Sequence, residues 1–242
     1  MKNVVVSQPM FIPWIGIFEQ IALADTFYHY IDIQYPKGRS FMSRVQLLGI
    51  SGQQWLTAPI DKNTNRGLIS EVLFQQNTQW KSKHLRTIDY LYSSCKFYNE
   101  MKTIVDDIYN NKTFSLVDFN IYAIERISSY LRINCNFKLS SDLNLNSCKS
   151  KRLHEICLHE NADVYITGHG ALNYLDHIFF ENDGIEVKYM KYECLKYDQR
   201  HKPFTPFVSI IDLIANNGPS STEYLCSGAV SKETLKALND DK

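Results

Sequence analysis

Apolar runs alternate with polar stretches along the chain in a pattern that fits an α/β fold. Residues 4–6 are three valines followed closely by a Gln-Pro step, which is typical of a buried strand. Two prolines stiffen residues 9–13, and apolar residues then recur at helical spacing up to Asp25. A β-rich run occupies residues 26–31. This strand–loop–helix–strand unit predicts the start of a mainly parallel sheet with a right-handed crossover.

The middle of the chain changes to helical periodicity. Before it, the runs at 54–60 and 68–74 predict two strands, the first near a sheet edge because of its proline. From residue 79 to 131 apolar residues recur on helical faces, and Ser115 lies three residues before Asp118, as in a helix cap. We therefore expect a helical insertion over about residues 79–133.

The last third returns to alternating helices and strands. The pattern predicts, in order, a helix at 150–160, a strand at 163–167, a tight Gly-His-Gly turn entering a helix, a strand at 185–190, a helix at 209–215 and a loose polar tail from about 231. The whole sequence is thus predicted to form a single α/β domain over residues 1–242, a mainly parallel sheet with flanking helices and a helical insertion in the middle.

Composition narrows the function classes. The 242 residues carry 26 Lys plus Arg and 26 Asp plus Glu, and this zero net charge argues against nucleic-acid partners. None of the six cysteines forms a C-x-x-C pair or a zinc-like spacing, so no metal site is expected. The N-terminal apolar run is too short for a signal peptide, and no segment is long enough for membrane insertion. We expect a cytoplasmic protein, and the oligomeric state stays open.

Residues that could bind a ligand follow the first predicted strand. Gln8 and Trp14 lie in the loop after it, and Gly16 permits close backbone approach at the start of the helix. Ligands bind at this edge of open α/β sheets, and a helix N-terminus attracts anions. The alternative interpretation is a structural, proline-stiffened turn in which Trp14 fills the core.

Two further groups follow later strands. Asp32 and Gln34 come after the second strand, and Arg44 follows with a guanidinium suited to phosphate or carboxylate. A surface ion pair between an aspartate and an arginine is the alternative there.

The second of these groups surrounds His169, which lies between two glycines after a predicted strand, with Lys149 and Arg152 upstream in the chain. A histidine in this position can act as a base or bind phosphate, although a loop histidine is often inert. The Gly-x-Gly fragment is too short for a dinucleotide fingerprint.

Taken together, these motifs resemble the WbqC-like family over most of the chain outside the middle helices. The resemblance is carried by Gln8-Pro9, Pro13 to Phe18, Asp32 to Gln34, Arg44, Trp55 to Pro59, Lys151 to Leu153, Ala162 to Tyr165, Asn173 to Leu175, Tyr197, Gln199 and Ser209 to Leu213. It adds Tyr174 and Gln199 to the candidate substrate-binding residues. Ile17 departs from the family pattern, in which an aromatic residue is common, and residues 38–40 replace a more basic stretch.

The family resemblance implies a role in bacterial surface-polysaccharide (O-antigen) gene clusters, with transfer of an amino acid such as glycine onto a sugar as a proposed activity. A weaker resemblance links the first strand, residues 14–17 and the following helix to adenylating nucleotidyltransferases such as pantothenate synthetase. Their two signature histidines are missing here. On this resemblance ATP is a candidate cofactor. In place of the missing histidines, Lys149, Arg152 or His169 would hold its phosphates.

The sequence-based hypothesis is a transferase that attaches an amino acid such as glycine, or another acyl group, to a nucleotide-linked aminosugar. His169 or Asp32 would be the catalytic base. Arg44, Lys149 and Arg152 would hold phosphates, and Trp14 would pack on a ring. The alternative is a non-catalytic sugar- or nucleotide-binding accessory of the polysaccharide machinery.

Overall fold

The computed structural model describes residues 1–76 and 78–240, and the chain forms a mainly parallel sheet flanked by helices, which confirms the predicted fold class. Strands in this part of the chain are β1 (Asn3–Ser7), β2 (Thr26–His29), β3 (Arg44–Gly49), β4 (Gly52–Thr57), β5 (Asn136–Leu139), β6 (Val164–Thr167), β7 (Glu186–Met190) and β8 (Ala229–Val230). The α-helices are α1 (Ile15–Leu23), α2 (Trp80–Tyr92), α3 (Tyr98–Asn110), α4 (Leu116–Tyr130), α5 (Lys149–His159), α6 (Ile178–Asn182), α7 (Ile210–Asn217) and α8 (Lys232–Asp240).

The main sheet has the strand order β5-β2-β1-β6-β7-β8. The first five of these strands are parallel, and β8 pairs antiparallel with β7. From β1 the chain passes through α1 to β2 on one side, whereas from β6 it passes to β7 on the other side. This reversal creates a crevice at the carboxyl ends of β1 and β6, where open α/β sheets bind ligands.

Both faces of the sheet are covered, because alternate residues of β1 face opposite sides. Val5 belongs to a core that it shares with α1, the middle helices and α7. Val4 and Val6 belong to a second core formed with α5, α6 and α8. All three valines are buried, as a continuous β-branched run in a central parallel strand predicts.

The middle of the chain is helical, as its periodicity predicts. Helices α2, α3 and α4 contact one another in sequence, and α3 also packs on α7. The backbone N–H of Asp118 donates to Ser115 Oγ at 3.1 Å, so Ser115 caps α4.

The predicted strand at 54–60 is confirmed with shifted bounds, and the predicted strand at 68–74 is corrected. The run at 54–60 contributes to β4, which pairs only with β3 in a separate antiparallel hairpin within the described residues. The run at 68–74 forms a short 3₁₀ turn, Ile69–Glu71, with isolated bridges on either side. Within this run Ile69 and Val72 are buried at a spacing of three positions, which is the spacing of a turn, and Phe74 is buried where the chain leaves the turn.

The C-terminal segment is also more ordered than its polarity predicts. It forms α8, in which Leu235 is 2% exposed, and the backbone N–H of Thr234 donates to Ser231 Oγ at 3.2 Å. One buried leucine and a serine cap are therefore enough to dock this amphipathic helix. Among the described residues, no helix combines the length and the apolar character needed to cross a membrane.

Candidate functional site

A cleft of about 870 Å³ opens at the carboxyl ends of β1 and β6, where the strand order reverses. Residues that follow four parallel strands line it, in the segments 7–14 after β1, 30–33 after β2, 168–174 after β6 and 191–194 after β7. Helices α1 and α5 complete the walls near their N-terminal ends. The cleft thus occupies the position that the topology favours for a ligand.

The structure brings five of the predicted site residues into this cleft, namely Gln8, Trp14, Lys149, His169 and Tyr174. They come from three separate parts of the sequence and meet because their strands end at the same edge. Tyr174 is 62% exposed and lies at the rim. Contact of these five residues with a ligand stays a prediction.

Aromatic rings form a continuous row along the cleft. The ring centroid of Trp14 lies 5.8 Å from that of Phe207 and 5.0 Å from that of Tyr192, and Tyr192 lies 5.0 Å from His169. All four residues line the cleft. Such a row offers flat apolar faces that can stack on the ring of a sugar or a base.

Gly16 supports this row without touching the cleft. A Cβ atom at Gly16 would lie 2.4 Å from Cζ2 of Trp14, so the missing side chain makes room for the folded-back indole. The start of α7 holds the same loop, since Ser209 Oγ donates to the carbonyl of Ile12 at 2.7 Å. Gly16 therefore positions Trp14, and contact of Gly16 with substrate stays a prediction.

His169 has one ring nitrogen engaged and a definite tautomer. Its Nε2 lies 2.6 Å from the backbone oxygen of Met190, and a carbonyl can only accept a hydrogen bond. Nε2 therefore carries the proton, and in the neutral ring Nδ1 has the free lone pair. His169 begins a short 3₁₀ helix directly after β6, and the backbone carbonyl fixes its ring in the wall of the cleft.

The charged residues that line the cleft are basic. Lys149, at the exposed start of α5, and Lys191, directly after β7, both contribute to the lining. Lys191 also contacts the Glu193 carboxylate at 2.6 Å, a half-exposed pair that screening makes weak. No Asp or Glu occurs among the described residues that line the cleft. The cleft therefore favours an anionic ligand.

A buried polar pair forms part of the cleft wall. The amide of Gln20, on α1, donates to the hydroxyl of Tyr192. Burial raises the pKa of Tyr192 to about 12, against the opposing effect of the hydrogen bond from Gln20, so the phenol stays protonated at neutral pH. A Cβ atom at Gly168 would lie 3.1 Å from this hydroxyl, which explains why a glycine follows β6.

Asp32 and Arg152 lie outside the cleft lining, and contact of either residue with substrate stays a prediction. Their side chains form an ion pair, 17% and 11% exposed respectively, and Ser140 donates a further hydrogen bond to the carboxylate. Arg152 also donates to the carbonyl of Leu145 at 3.0 Å. The Asp32 carboxylate is thus paired with a fixed cation, and its role as a base stays a prediction.

Gln34 and Gln199 also have structural partners in place of a ligand. Nε2 of Gln34 donates to the carbonyl of Arg66 at 2.7 Å. Gln199 is 1% exposed, and its amide bonds both backbone groups of Thr205, at 2.8 and 2.9 Å. Gln199 therefore shapes the loop that carries Phe207 into the cleft, without reaching the cleft itself.

Arg44 lies in a neighbouring groove that shares the Trp14 and Phe207 side chains with the cleft. Its guanidinium carbon lies 3.2 Å from the ring centroid of Trp55, close enough for a cation–π contact. Arg44 and His169 thus line different pockets, since Arg44 begins the β3–β4 hairpin outside the main sheet.

Sequence reasoning missed several cleft residues. Lys191 and Tyr192 directly follow β7, so the rule that led to Gln8 and His169 could have found them. Gln20 and Tyr30 offered less signal, because a glutamine on a helix and a tyrosine after a strand are common in structural roles. No cluster of three or more His, Cys, Asp or Glu side chains arranged for a metal occurs within residues 1–76 and 78–240.

The fold and the cleft define an α/β protein with a basic, aromatic crevice at the point where its parallel sheet reverses order. A model of the WbqC-like protein family matches residues 8–224, and the chain belongs to that family. The chain is 33% identical over 228 residues to the uncharacterized protein Rv1507c of Mycobacterium tuberculosis, a match that covers 93% of this chain and 98% of that protein. No solved structure matches the chain at a significant level.

Proposed function

We propose that this protein is a transferase of surface-polysaccharide (O-antigen) biosynthesis. It binds a nucleotide-linked aminosugar in the cleft and attaches an amino acid such as glycine, or another acyl group, to the sugar amine. The observation that carries the proposal is the composition of the cleft lining, which combines a row of aromatic rings with basic side chains and holds no Asp or Glu among its described residues.

A nucleotide sugar offers what these walls recognise. Its diphosphate carries two negative charges, which Lys149 and Lys191 are suited to neutralise. Its base and its sugar present flat or apolar faces to Trp14 and Tyr192. A volume of about 870 Å³ falls in the range of small-molecule sites.

His169 supplies the base for amide formation. The neutral sugar amine attacks the carbonyl carbon of an activated acyl donor, such as the acyl adenylate formed from ATP and a free acid. A C–N bond forms, and the bond from the carbonyl carbon to the leaving group breaks with its electron pair. Nδ1 of His169 takes the proton that the amine loses, while Nε2 keeps its bond to Met190. Among the described lining residues no carboxylate is present to share this role.

Binding and turnover of two histidine variants test this role. A calorimetric screen of UDP-, dTDP- and GDP-linked aminosugars would first identify the ligand, and a mass gain on the sugar in the presence of ATP and glycine would score turnover. His169→Gln keeps an N–H donor for the Met190 carbonyl but has no basic nitrogen. We expect this variant and His169→Ala to bind the sugar normally and to turn over about 10²–10⁴-fold more slowly.

His159→Ala is the matched control, because His159 lies at the exposed end of α5, outside the cleft lining. Full activity in both His169 variants would remove this residue from the mechanism. The accessory-binder function would replace the transferase if one nucleotide sugar binds tightly, gains no mass with any acyl donor tested, and binds equally well to both His169 variants.

A further inference from the structure

The groove beside the cleft is a separate pocket. It has a volume of about 350 Å³, and Met10, Trp14 and Phe207 separate it from the cleft by lining both. Phe41, which is 58% exposed, forms part of its outer wall. Apolar side chains dominate the groove, and Arg44 is the charged residue among its described lining residues.

Arg44 has no anionic partner within the described part of the chain. Its Nε is buried without a hydrogen-bond acceptor, and its guanidinium makes no ion pair there. Partial burial, together with the positive charge of Arg39 nearby, lowers the pKa of Arg44. A buried N–H donor without a partner is unfavourable, so this position gains most from an anion.

The hairpin holds Arg44 in place for such a ligand. Arg44 pairs with Thr57 across β3 and β4, and Trp55 is two residues from Thr57 on the same face. The indole of Trp55 therefore packs on the guanidinium, and the two terminal amino groups, unlike the buried Nε, are left available. Arg44 borders both the groove and a shallower depression beside Arg39.

We propose that this groove binds a small carboxylate with an apolar body, whose charged end pairs with Arg44 and whose body packs against Phe41, Met10 and the outer face of the Trp14–Phe207 wall. The planar guanidinium fork matches a carboxylate in a bidentate pair. The small volume and the apolar lining exclude a long or strongly hydrated ligand. This site is additional to the aminosugar site proposed for the cleft and does not depend on it.

Phenylacetate is a suitable probe, with phenylacetamide as its uncharged analogue and inorganic phosphate as an anion without an apolar body. Affinities would be measured by ligand-detected NMR titration. We expect phenylacetate to bind the wild-type protein at least about tenfold more tightly than phenylacetamide, because a charged pair adds to the apolar contact. Inorganic phosphate alone should compete only weakly.

Three variants separate the contributions. Arg44→Gln should remove the preference for phenylacetate over phenylacetamide. Phe41→Ala should weaken both probes alike and keep the preference, since it removes apolar wall and no charge. Arg86→Gln makes the same chemical change as Arg44→Gln at an exposed position on α2 and should leave both affinities unchanged.

Equal binding of phenylacetate to the wild-type protein and to Arg44→Gln would overturn the proposal. So would loss of the preference in Arg39→Gln with Arg44→Gln unaffected, which would move the anion to the depression. Phosphate competing as strongly as phenylacetate would show an anion site without an apolar component. None of these outcomes bears on aminosugar binding in the cleft, which is measured separately with nucleotide sugars.

Discussion

Glu160 offers a quantitative test of the fold that supports the cleft. Its carboxylate is 3% exposed at the end of α5 and accepts hydrogen bonds from Tyr28 at 2.6 Å, Lys138 at 2.6 Å and Lys2 at 3.0 Å. These contacts connect α5 to β2, to β5 and to the N-terminus. We expect Glu160→Gln to destabilise the protein at neutral pH, because the amide cannot pair with both lysines.

The size of this effect follows from the pKa of Glu160. Burial alone would raise the pKa, but the bonds from Lys138, Tyr28 and Lys2 outweigh burial and lower it from 4.5 to about 2. At about 1.36 kcal/mol per pKa unit, the ionised form adds roughly 3 kcal/mol to the free energy of unfolding. Both lysines are about two-fifths exposed, so solvent screening reduces this to about 2–3 kcal/mol.

The pH dependence has a definite sign. The folded pKa of Glu160 lies below the unfolded value, so the unfolded chain takes up the proton first as the pH falls. The stabilisation is complete above about pH 4.5 and is lost between pH 4.5 and about 2. Urea unfolding of the wild type and of Glu160→Gln at pH 7, 5 and 3 measures it, with the surface-pair variant Glu186→Gln as control. A difference below about 1 kcal/mol at pH 7, or one that stays constant down to pH 3, would refute the reasoning.

Two further predictions concern Gly16 and Asp32, which lie outside the cleft lining. Gly16→Ala should weaken nucleotide-sugar binding in the cleft by roughly 3–10-fold, measured by calorimetry, because the added methyl group would displace the Trp14 indole and its stacking contacts. Unchanged affinity would show that the indole position is unimportant. Asp32→Asn should lower the free energy of unfolding by about 3 kcal/mol, since it leaves the Arg152 charge unpaired, with little change in affinity of the folded protein. Weaker binding at unchanged stability would return Asp32 to the ligand site.

The strand ends were predictable from the sequence, and with them the cleft segments that follow β1 and β6. A run of valines, a proline-stiffened loop and a helical pattern locate Gln8 and Trp14 at the carboxyl edge, and a strand followed by Gly-His-Gly locates His169 there. These assignments need only local periodicity and the rule that parallel strands end together. The same rule would have located Lys191 after β7.

The partners of polar residues were not predictable in the same way. Asp32 and Arg152 are 120 positions apart in sequence, and their pairing depends on how α5 packs beside the end of β2. Both residue types serve equally well in a ligand site and in an ion pair, so the sequence cannot distinguish the two. Arg44 illustrates a related difficulty, because its strand joins a hairpin that the local pattern did not separate from the main sheet.

The wall between the cleft and the groove depends on residues that lie outside the linings of both pockets. Trp14 and Phe207 form both surfaces of that wall. Gly16 leaves room for the indole of Trp14 and so sets its position. Gln199 forms hydrogen bonds with the backbone of Thr205, two residues before Phe207. It also donates to the buried carboxylate of Asp212 at 3.1 Å.

Burial raises the pKa of Asp212, and the hydrogen bonds from Tyr197 and Gln199 oppose that effect, so a buried polar network helps to fix this loop. Tyr197 and Gln199 both donate to Oδ1 of Asp212, and Gln199 also bonds both backbone groups of Thr205, so a buried side chain anchors the backbone two residues before Phe207. A ligand that packs on one face of Trp14 meets a surface that is already formed. Only a ligand large enough to move Phe207 would change the pocket on the other side of the wall.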